Sequence, residues 1–297
     1  MIMDFGLNIV TDISVDYAVK VAKLAENLGF KTVWIGETLG LKHPFKYLHN
    51  IASSTRKIVI GTSILSIYTN PVKNVAEYFA NLANIYGQRF IIGLGIGDKK
   101  LLKLKKVTVK QPLKDLDNYV RKLEMMLNNY NLKIPIVIGS MGPTIVKYSC
   151  KTYGSILLNT VYPDYIRWVL KILKDIKCDI YSIGPCLLEG DVKNFKAVKV
   201  AAGVVLRGMN KHFLKAFKLT ELAKEIDIAL ESKNYTKLEK YRELLLEKFA
   251  IYGTIEQVLE RVRELERLNI KHLIFGTPLY RNINQIKILS EVLNLKY

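Results

Sequence analysis

Apolar stretches alternate with segments of helical periodicity along the whole chain. The first cycle shows the pattern, because the apolar stretch Asp4–Val10 is followed by an amphipathic segment, Val15–Leu28. Ser14 stands where a helix N-cap is expected, and Gly29 stands where a helix ends. Many of the strand-like segments are continuous apolar runs, which is typical of strands buried on both faces of a sheet. The pattern therefore predicts a parallel sheet covered by helices.

The remaining cycles repeat this order with one interruption. Further strands are predicted at Thr32–Gly36, Lys57–Ser63, Phe90–Leu94, Ile134–Ile138, Ser155–Asn159, Asp179–Pro185 and His272–Phe275. Further helices are predicted at Phe45–Thr55, Val72–Tyr86, Leu113–Asn129, Thr144–Tyr153, Tyr165–Ile176, Ile255–Leu268 and Ile283–Leu293. A long helical stretch, about residues 190–250, follows the seventh strand and is interpreted as an insertion.

About eight β/α units with one insertion predict a (β/α)8 TIM barrel. A doubly wound open sheet is the alternative. The barrel is favoured because the first and last units are equally complete and the unit count fits closure. Since no low-complexity segment or flexible linker interrupts the chain, we expect a single domain over residues 1–297.

The charge balance is strongly basic. The chain has 45 Lys and Arg against 27 Asp and Glu, a formal net charge of +18. Such an excess suits nucleic acid or an acidic small molecule. The densest cluster, residues 99–110, has no interleaved aromatic residues for stacking on bases. We therefore expect anionic small-molecule ligands and no nucleic-acid partner.

Other residue types narrow the class further. The three cysteines show neither a disulfide framework nor a zinc spacing, which predicts buried, reduced thiols in a cytoplasmic protein. The four histidines share no ligand spacing, so no metal site is expected. No apolar run reaches the roughly 20 residues of a membrane span, and the N-terminus lacks the features of a signal peptide.

The segment Ile134–Pro143 is the most informative part of the chain. An apolar strand ends in Gly139-Ser140-Met141-Gly142-Pro143 and passes directly into a helix. Glycines let the backbone approach a ligand, and the N–H groups of a helix start attract anions. This turn is a candidate site for a phosphate or an anionic cofactor.

In a barrel, functional groups follow the C-terminal ends of the strands. The residues at these places are mostly glycine and small polar types, with few nucleophiles and few metal ligands. The candidates besides the turn are Asn8, Glu37, Ser63, Ile64, Gly95, Gly97, Asp98, Asn159, Gly276 and Thr277. Such a site binds a cofactor and leaves the difficult chemistry to it.

Several short segments match a known family in order. They are Phe5-Gly6-Leu7, Trp34-Ile35, Gly87-Gln88-Arg89-Phe90, Gly93 to Lys99, Ile134 to Pro143, Leu158-Asn159-Thr160, Phe249 to Thr254 and Ile274 to Pro278. With them the chain resembles the methylene-tetrahydromethanopterin reductases, archaeal members of the bacterial-luciferase-like barrels. The resemblance implies coenzyme F420, a deazaflavin with a phosphate and an acidic tail. It further implies hydride transfer to or from a pterin, and a homo-oligomer.

The resemblance also implies roles for individual residues. Main-chain N–H groups of Gly139 to Pro143 would hold the cofactor backbone or phosphate, and Asn159 would hydrogen-bond along the same channel. The bond Ser63–Ile64 corresponds to a non-prolyl cis peptide that supports the deazaflavin ring in the family. Asp98 keeps the acidic residue that follows the fourth strand.

The departures from the family concern the reaction more than the cofactor. Asn8 replaces a glutamate, and an amide cannot transfer a proton at ordinary pH. Glu37 replaces an aspartate, the histidine that follows it in the family is missing, and Ile96 replaces a proline. Either the substrate is a different pterin or another small molecule, or Glu37 and Asp98 share the proton transfer. Two other hypotheses remain: an FMN-dependent oxidoreductase or monooxygenase of the same barrels, and a non-catalytic flavin or deazaflavin binder.

Overall fold

The computed structural model describes residues 3–38 and 40–295. Its strands are β1 (Asp4–Ile9), β2 (Thr32–Ile35), β3 (Val59–Thr62), β4 (Leu65–Ser66), β5 (Phe90–Gly95), β6 (Ile136–Gly139), β7 (Ser155–Leu158), β8 (Asp179–Leu188), β9 (Ile251–Gly253) and β10 (His272–Gly276). Its α-helices are α1 (Val15–Asn27), α2 (Pro44–Ser54), α3 (Val72–Tyr86), α4 (Lys99–Leu104), α5 (Pro112–Asn129), α6 (Pro143–Tyr153), α7 (Pro163–Leu173), α8 (Val192–Gly208), α9 (Lys211–Ala216), α10 (Thr220–Glu231), α11 (Arg242–Phe249), α12 (Ile255–Glu266) and α13 (Ile283–Val292). Two short 3-10 helices complete the list at Tyr235–Tyr241 and Leu279–Arg281.

Along the chain these elements form eight β/α repeats, the (β/α)8 TIM-barrel fold that the apolar pattern predicts. The helical stretch α8 to α11 follows β8. Since β8 corresponds to the seventh predicted strand, Asp179–Pro185, the insertion lies where it was expected. Within the described residues, the repeats are distributed over two compact units, one within residues 7–139 and the other of residues 3–6 with 140–295. No described helix is long and apolar enough to span a membrane.

The unit of residues 7–139 contains a parallel sheet in the order β2-β3-β5-β6, with β4 paired to β5. Arg89 ties α2 to the strands at one end of this sheet. Its guanidinium donates to the Thr55 hydroxyl at 3.0 Å and to the Ile58 carbonyl at 2.9 Å. Because these partners are the end of α2 and the start of the next strand, Arg89 has a structural role.

In residues 140–295, β8 pairs in parallel with β7, β9 and β10. The helical insertion is anchored on α7 by aromatic contacts. Phe213 of α9 lies 4.7 Å from Tyr165 and 5.7 Å from Trp168, measured between ring centroids. Phe213 and Tyr165 are fully buried, so the insertion shares a hydrophobic core with this part of the barrel.

The prediction of reduced thiols is confirmed for Cys186 and was wrong for the other two cysteines. Cys150 of α6 and Cys178, just before β8, form a disulfide with a Cα–Cα distance of 5.1 Å. The two residues are 28 positions apart, and they meet because α6 packs beside the segment that enters β8. A spacing of this length has no recognisable pattern, so the sequence did not show the pair. Cys186 is a free, buried thiol, and burial raises its pKa.

Three short elements were also missed. The helix α4 lies in the Lys-rich cluster of residues 99–110, where no helix was predicted. The strands β4 and β9 have two and three residues, and each is fixed by pairing with a distant strand. Elements of this length have too few residues for a periodicity to be detected. They form because of tertiary contacts, which the local sequence does not show.

Candidate functional site

Asn8 lies near the C-terminal end of β1 and is buried. Its amide nitrogen donates to the Trp34 carbonyl at 3.1 Å and to the Ser63 hydroxyl at 2.7 Å. Both amide hydrogens therefore have partners, at the ends of β2 and β3. The side chain is held in one orientation by groups at the ends of two other strands.

The bond Ser63–Ile64 lies between β3 and β4 and is cis, as the resemblance implies. The end of β3 is fixed to β5 through Thr62. The Thr62 hydroxyl donates to the Gly93 carbonyl at 2.9 Å and accepts from the Gly93 N–H at 2.8 Å. The cis bond thus follows a strand end whose last residue, Thr62, is bonded to both main-chain groups of Gly93.

The glycines at the ends of β5 and β6 make room for Ile64. A Cβ atom at Gly139 would lie 2.8 Å from Ile64 Cγ2, and one at Gly95 would lie 3.2 Å from Ile64 Cδ1. At Gly93 a Cβ atom would lie only 1.8 Å from the Thr62 carbonyl oxygen. A Cβ atom at Gly139 or Gly93 would therefore clash, and one at Gly95 would press its neighbours by a few tenths of an ångström. We call these three positions around Ile64 and Thr62 the glycine cradle of Ile64. The Ile64 side chain itself remains partly exposed.

Glu37 follows β2 and holds the loop of residues 66–70. Its carboxylate accepts hydrogen bonds from the Ser66 N–H at 3.1 Å, the Thr69 hydroxyl at 2.9 Å and the Asn70 amide at 2.8 Å. Its own N–H donates to the Ile64 carbonyl at 3.1 Å. Both carboxylate oxygens have donors, so Glu37 is built into the same network as the cis bond.

A second layer of contacts supports this loop. Asn70 is buried, its side-chain oxygen lies 2.8 Å from His43 Nε2, and its carbonyl accepts from the Tyr119 hydroxyl at 2.8 Å. The Tyr68 hydroxyl donates to the Asp115 carboxylate at 2.6 Å. Burial, and after it the charge of Glu37, raises the pKa of Tyr119, so its hydroxyl remains a donor.

Sequence reasoning missed this layer. Thr69, Asn70 and Tyr119 carry no motif. Thr69 and Asn70 reach Glu37 over 32 and 33 residues, and Tyr119 reaches Asn70 over 49 residues. His43 lies six residues after Glu37, and nothing in that spacing indicates that it reaches the loop of residues 66–70.

Gly97 and Asp98 follow β5. Gly97 has a φ of +95°, and a Cβ atom there would lie 2.6 Å from Ser66 Oγ. The Ser66 hydroxyl in turn donates to the Ile96 carbonyl at 2.6 Å. Asp98 is exposed, and its carbonyl accepts from Leu102 N–H at the start of α4. In residues 7–139 the structure therefore brings together Asn8, Glu37, Ser63, Ile64, Gly95 and Gly97 in one network, with Asp98 at its outer edge.

In the other unit, Ser140 to Pro143 form the turn that starts α6. The Ser140 N–H donates to the Leu157 carbonyl at 3.1 Å, and the Tyr165 hydroxyl donates to the Met141 carbonyl. Gly142 is the N-cap of α6, and among the described residues no side chain caps its first turn. The N–H groups of that turn can therefore bind an anion.

Three further predicted residues lie at strand ends of the same unit. Asn159 is exposed directly after β7, and Gly276 and Thr277 lie at the end of β10. A Cβ atom at Gly276 would lie 2.8 Å from the Gly184 carbonyl, so this glycine is required by packing against β8. The peptide bond Thr277–Pro278 is cis.

Two observations concern other kinds of site. Within the described ranges, no group of three His, Cys, Asp or Glu side chains is arranged to hold a metal ion. A surface cavity of about 1000 Å³ lies between α7, α11, α12 and β9 in residues 140–295. Arginines and glutamates line much of it, including Arg167, Arg261 and Glu264, and none of the predicted site residues does.

Comparisons with known proteins extend over nearly the whole chain. A family model described as luciferase-like monooxygenase matches residues 3–272. A 5,10-methylenetetrahydromethanopterin reductase of Archaeoglobus fulgidus is 23% identical, over 93% of this chain and 94% of that protein. The structure of a coenzyme F420-dependent tetrahydromethanopterin reductase from Methanopyrus kandleri superposes with a TM-score of 0.87 at 19% identity, over the full length of both chains. An F420-dependent secondary alcohol dehydrogenase with an F420-acetone adduct gives a TM-score of 0.76 at 16% identity, again over both full lengths. At these identities the two structures establish the fold.

Proposed function

Because this chain belongs to the luciferase-like monooxygenase family, we propose that it is an oxidoreductase that uses coenzyme F420. Its substrate is a methylene-tetrahydromethanopterin-like one-carbon carrier or a related small molecule. The observation that carries the proposal is the end-to-end similarity to a reductase of that substrate, with 93% of this chain and 94% of the relative covered.

The residues present fit such a cofactor. The uncapped first turn of α6 offers main-chain donors to a phosphate, and Gly142 leaves that approach open, since a Cβ atom there would meet only the Asn210 side chain at 3.5 Å. The partly exposed Ile64 offers an apolar surface to a planar ring. When bound, the deazaflavin would supply or accept the hydride, and these residues would hold and orient it.

The carboxylates have different parts in this proposal. Both oxygens of Glu37 accept from the loop of residues 66–70, so Glu37 positions that loop and the peptide around Ile64. Asp98 is exposed after β5 and is the carboxylate that would carry a proton at the substrate. Asn8 orients the Ser63 hydroxyl, and Ser63 would help to hold the cofactor, whereas the amide transfers no proton.

Asn8 also favours a second candidate function. An amide whose two hydrogens are donated to Trp34 and Ser63 cannot serve as a general acid, although the binding features are retained. A protein of this kind could bind a deazaflavin without reducing the pterin. The two candidates differ in turnover and agree in cofactor binding.

An anaerobic hydride-transfer assay with reduced F420 and a panel of pterins tests the proposal. We expect slow turnover of methylene-tetrahydromethanopterin by the wild-type protein. The variant Asn8→Glu restores a carboxyl group beside Ser63, and we expect it to raise turnover at least about 10-fold, since a positioned general acid contributes about 100-fold or more.

The variant Asn8→Gln is the matched control, because it has the size of glutamate and no titratable proton. Equal rates for Asn8→Glu and Asn8→Gln would show that the missing acid does not limit the reaction. Binding of F420 without turnover of any pterin by the wild type or by Asn8→Glu would support the non-catalytic binder instead.

A further inference from the structure

A strongly basic segment follows the network described above. It comprises residues 103–114, from the last turn of α4 to the first turn of α5, and it contains no acidic residue. Its five lysines are Lys103, Lys105, Lys106, Lys110 and Lys114, and all are exposed. In the described part of the chain, none of these side chains forms an ion pair or a hydrogen bond.

Contacts at its C-terminal end fasten the basic segment to the loop that Glu37 holds. Directly after Lys114, the Asp115 carboxylate accepts from the Tyr68 hydroxyl at 2.6 Å. One turn later on α5, the Tyr119 hydroxyl donates to the Asn70 carbonyl at 2.8 Å. At its N-terminal end, α4 leads back to the glycines at the end of β5. The segment therefore borders the candidate site within residues 7–139.

The positive charge of this segment exceeds the negative charge beside it along the chain. The nearest acidic residues on its two sides are Asp98 and Asp115, which are two carboxylates against five lysines. Five like charges within twelve residues repel one another and do not stabilise the fold. They do raise the local concentration of an anionic ligand beside the site.

We propose that the basic segment binds the acidic tail of the cofactor as a flexible chain of carboxylates. This inference rests on the proposed use of F420. Lysine suits such a ligand because it is a mobile point charge with three donors, whereas a fixed carboxylate is better matched by the planar fork of arginine. Nucleic acid is a poorer fit, since residues 99–114 include no aromatic side chain on which bases could stack.

The test is a fluorescence titration with two probes, F420 and the same deazaflavin without its acidic tail, each at low and at raised ionic strength. The variant is Lys103→Gln, Lys105→Gln and Lys106→Gln combined. The control is Lys171→Gln, Lys174→Gln and Lys177→Gln combined. Both sets are exposed, and each has one lysine at positive φ, 55° at Lys106 and 47° at Lys174.

We expect the variant to weaken F420 binding about 5- to 50-fold at low salt, as three exposed charge contacts would. We expect the difference to shrink at raised salt because exposed charges are screened. The tailless probe should bind both proteins equally, the control should bind F420 like the wild type, and a triple Lys→Arg variant should retain F420 affinity.

Equal F420 affinity of the variant and the wild type would overturn the inference, and so would an equal loss for the tailless probe. In both cases wild-type binding of the tailless deazaflavin would still support the proposed cofactor. Failure of the wild type to bind either probe would instead contradict the proposed function and, with it, the inference.

Discussion

At the scale of single residues, Glu37 shows that a residue type can be predicted more easily than its role. Its place after β2 marked it as a candidate for proton transfer, since a carboxylate at a strand end is suited to acid–base chemistry. The structure adds three donors from the loop of residues 66–70, and all are more than 25 positions away along the chain. Contacts of that separation leave no local pattern in a sequence.

The positioning role of Glu37 leads to a prediction for two substitutions. Glu37→Gln keeps an acceptor for Ser66 and Asn70, and Thr69 can turn its hydroxyl to accept from the new amide. We expect Glu37→Gln to turn over within about 3-fold of the wild-type rate. Glu37→Ala leaves these donors without the acceptor, so we expect weaker cofactor binding and a stability loss of about 1–3 kcal/mol. Steady-state kinetics measures the turnover rate, and denaturant unfolding measures the stability. A turnover rate lowered by about two orders of magnitude in Glu37→Gln would instead assign the proton transfer to Glu37.

His272 makes the stability of the fold depend on pH. Burial, and to a lesser degree the nearby Lys271, lowers the pKa of His272 to about 3, from an ordinary value of about 6.5. Between these values the unfolded chain binds a proton that the folded chain does not. The stability from this residue is therefore complete above pH 6.5 and is lost as the pH falls toward 3.

The corresponding measurement is the free energy of unfolding at pH 7.5 and at pH 5. We expect His272 to account for about 2 kcal/mol of the loss between them. The variant His272→Phe keeps an aromatic ring beside Tyr181, whose centroid lies 5.5 Å from that of His272, and removes the titration. A pH dependence as steep as that of the wild type would contradict this account.

At the scale of elements, the glycine cradle explains why β5 and β6 end in glycines. From the sequence, Gly95 and Gly139 were expected to allow the close approach of a ligand. The structure shows a packing reason as well, because Ile64 occupies the space that their side chains would fill. The cradle is formed by strand ends that are neighbours in the sheet and distant in sequence, so its shape could not be predicted from composition.

We predict that Gly139→Ala displaces Ile64 and weakens cofactor binding. The new Cβ atom would lie 2.8 Å from Ile64 Cγ2, an overpacking that costs about 1–3 kcal/mol. Combining Gly139→Ala with Ile64→Ala should remove most of that cost. A double-mutant cycle of unfolding free energies measures this coupling between the two substitutions.

Gly208→Ala is the control, because a Cβ atom at this last residue of α8 meets nothing within 4 Å. It should leave cofactor affinity unchanged and raise stability by no more than about 1 kcal/mol, since Ala favours a helix over Gly. Additive effects of Gly139→Ala and Ile64→Ala would show that the two residues do not compete for space.

The long elements were predictable and the short ones were not. Continuous apolar runs placed β5 and β7 to within one residue, because strands buried on both faces leave a strong signal. The Lys-rich α4 has no apolar face long enough to be recognised. The disulfide Cys150–Cys178 escaped prediction because it depends on which helix packs beside which loop.

At the scale of the whole molecule, the number of β/α repeats and the net charge of +18 agree with the function that the end-to-end similarity supports. The repeat count predicted the barrel, and the barrel indicated which residues lie at strand ends. The charge favours an anionic cofactor over a neutral one. Association into a homo-oligomer stays a prediction, drawn from the resemblance alone.

The central claim is that this barrel is built for coenzyme F420, and a fluorescence titration of the purified protein with F420 and with FMN tests it most directly. We expect F420 to bind at least about 10-fold more tightly, a difference of about 1.4 kcal/mol, because its acidic tail adds charge contacts that FMN lacks. Equal affinity for the two cofactors, or tighter binding of FMN, would contradict the account.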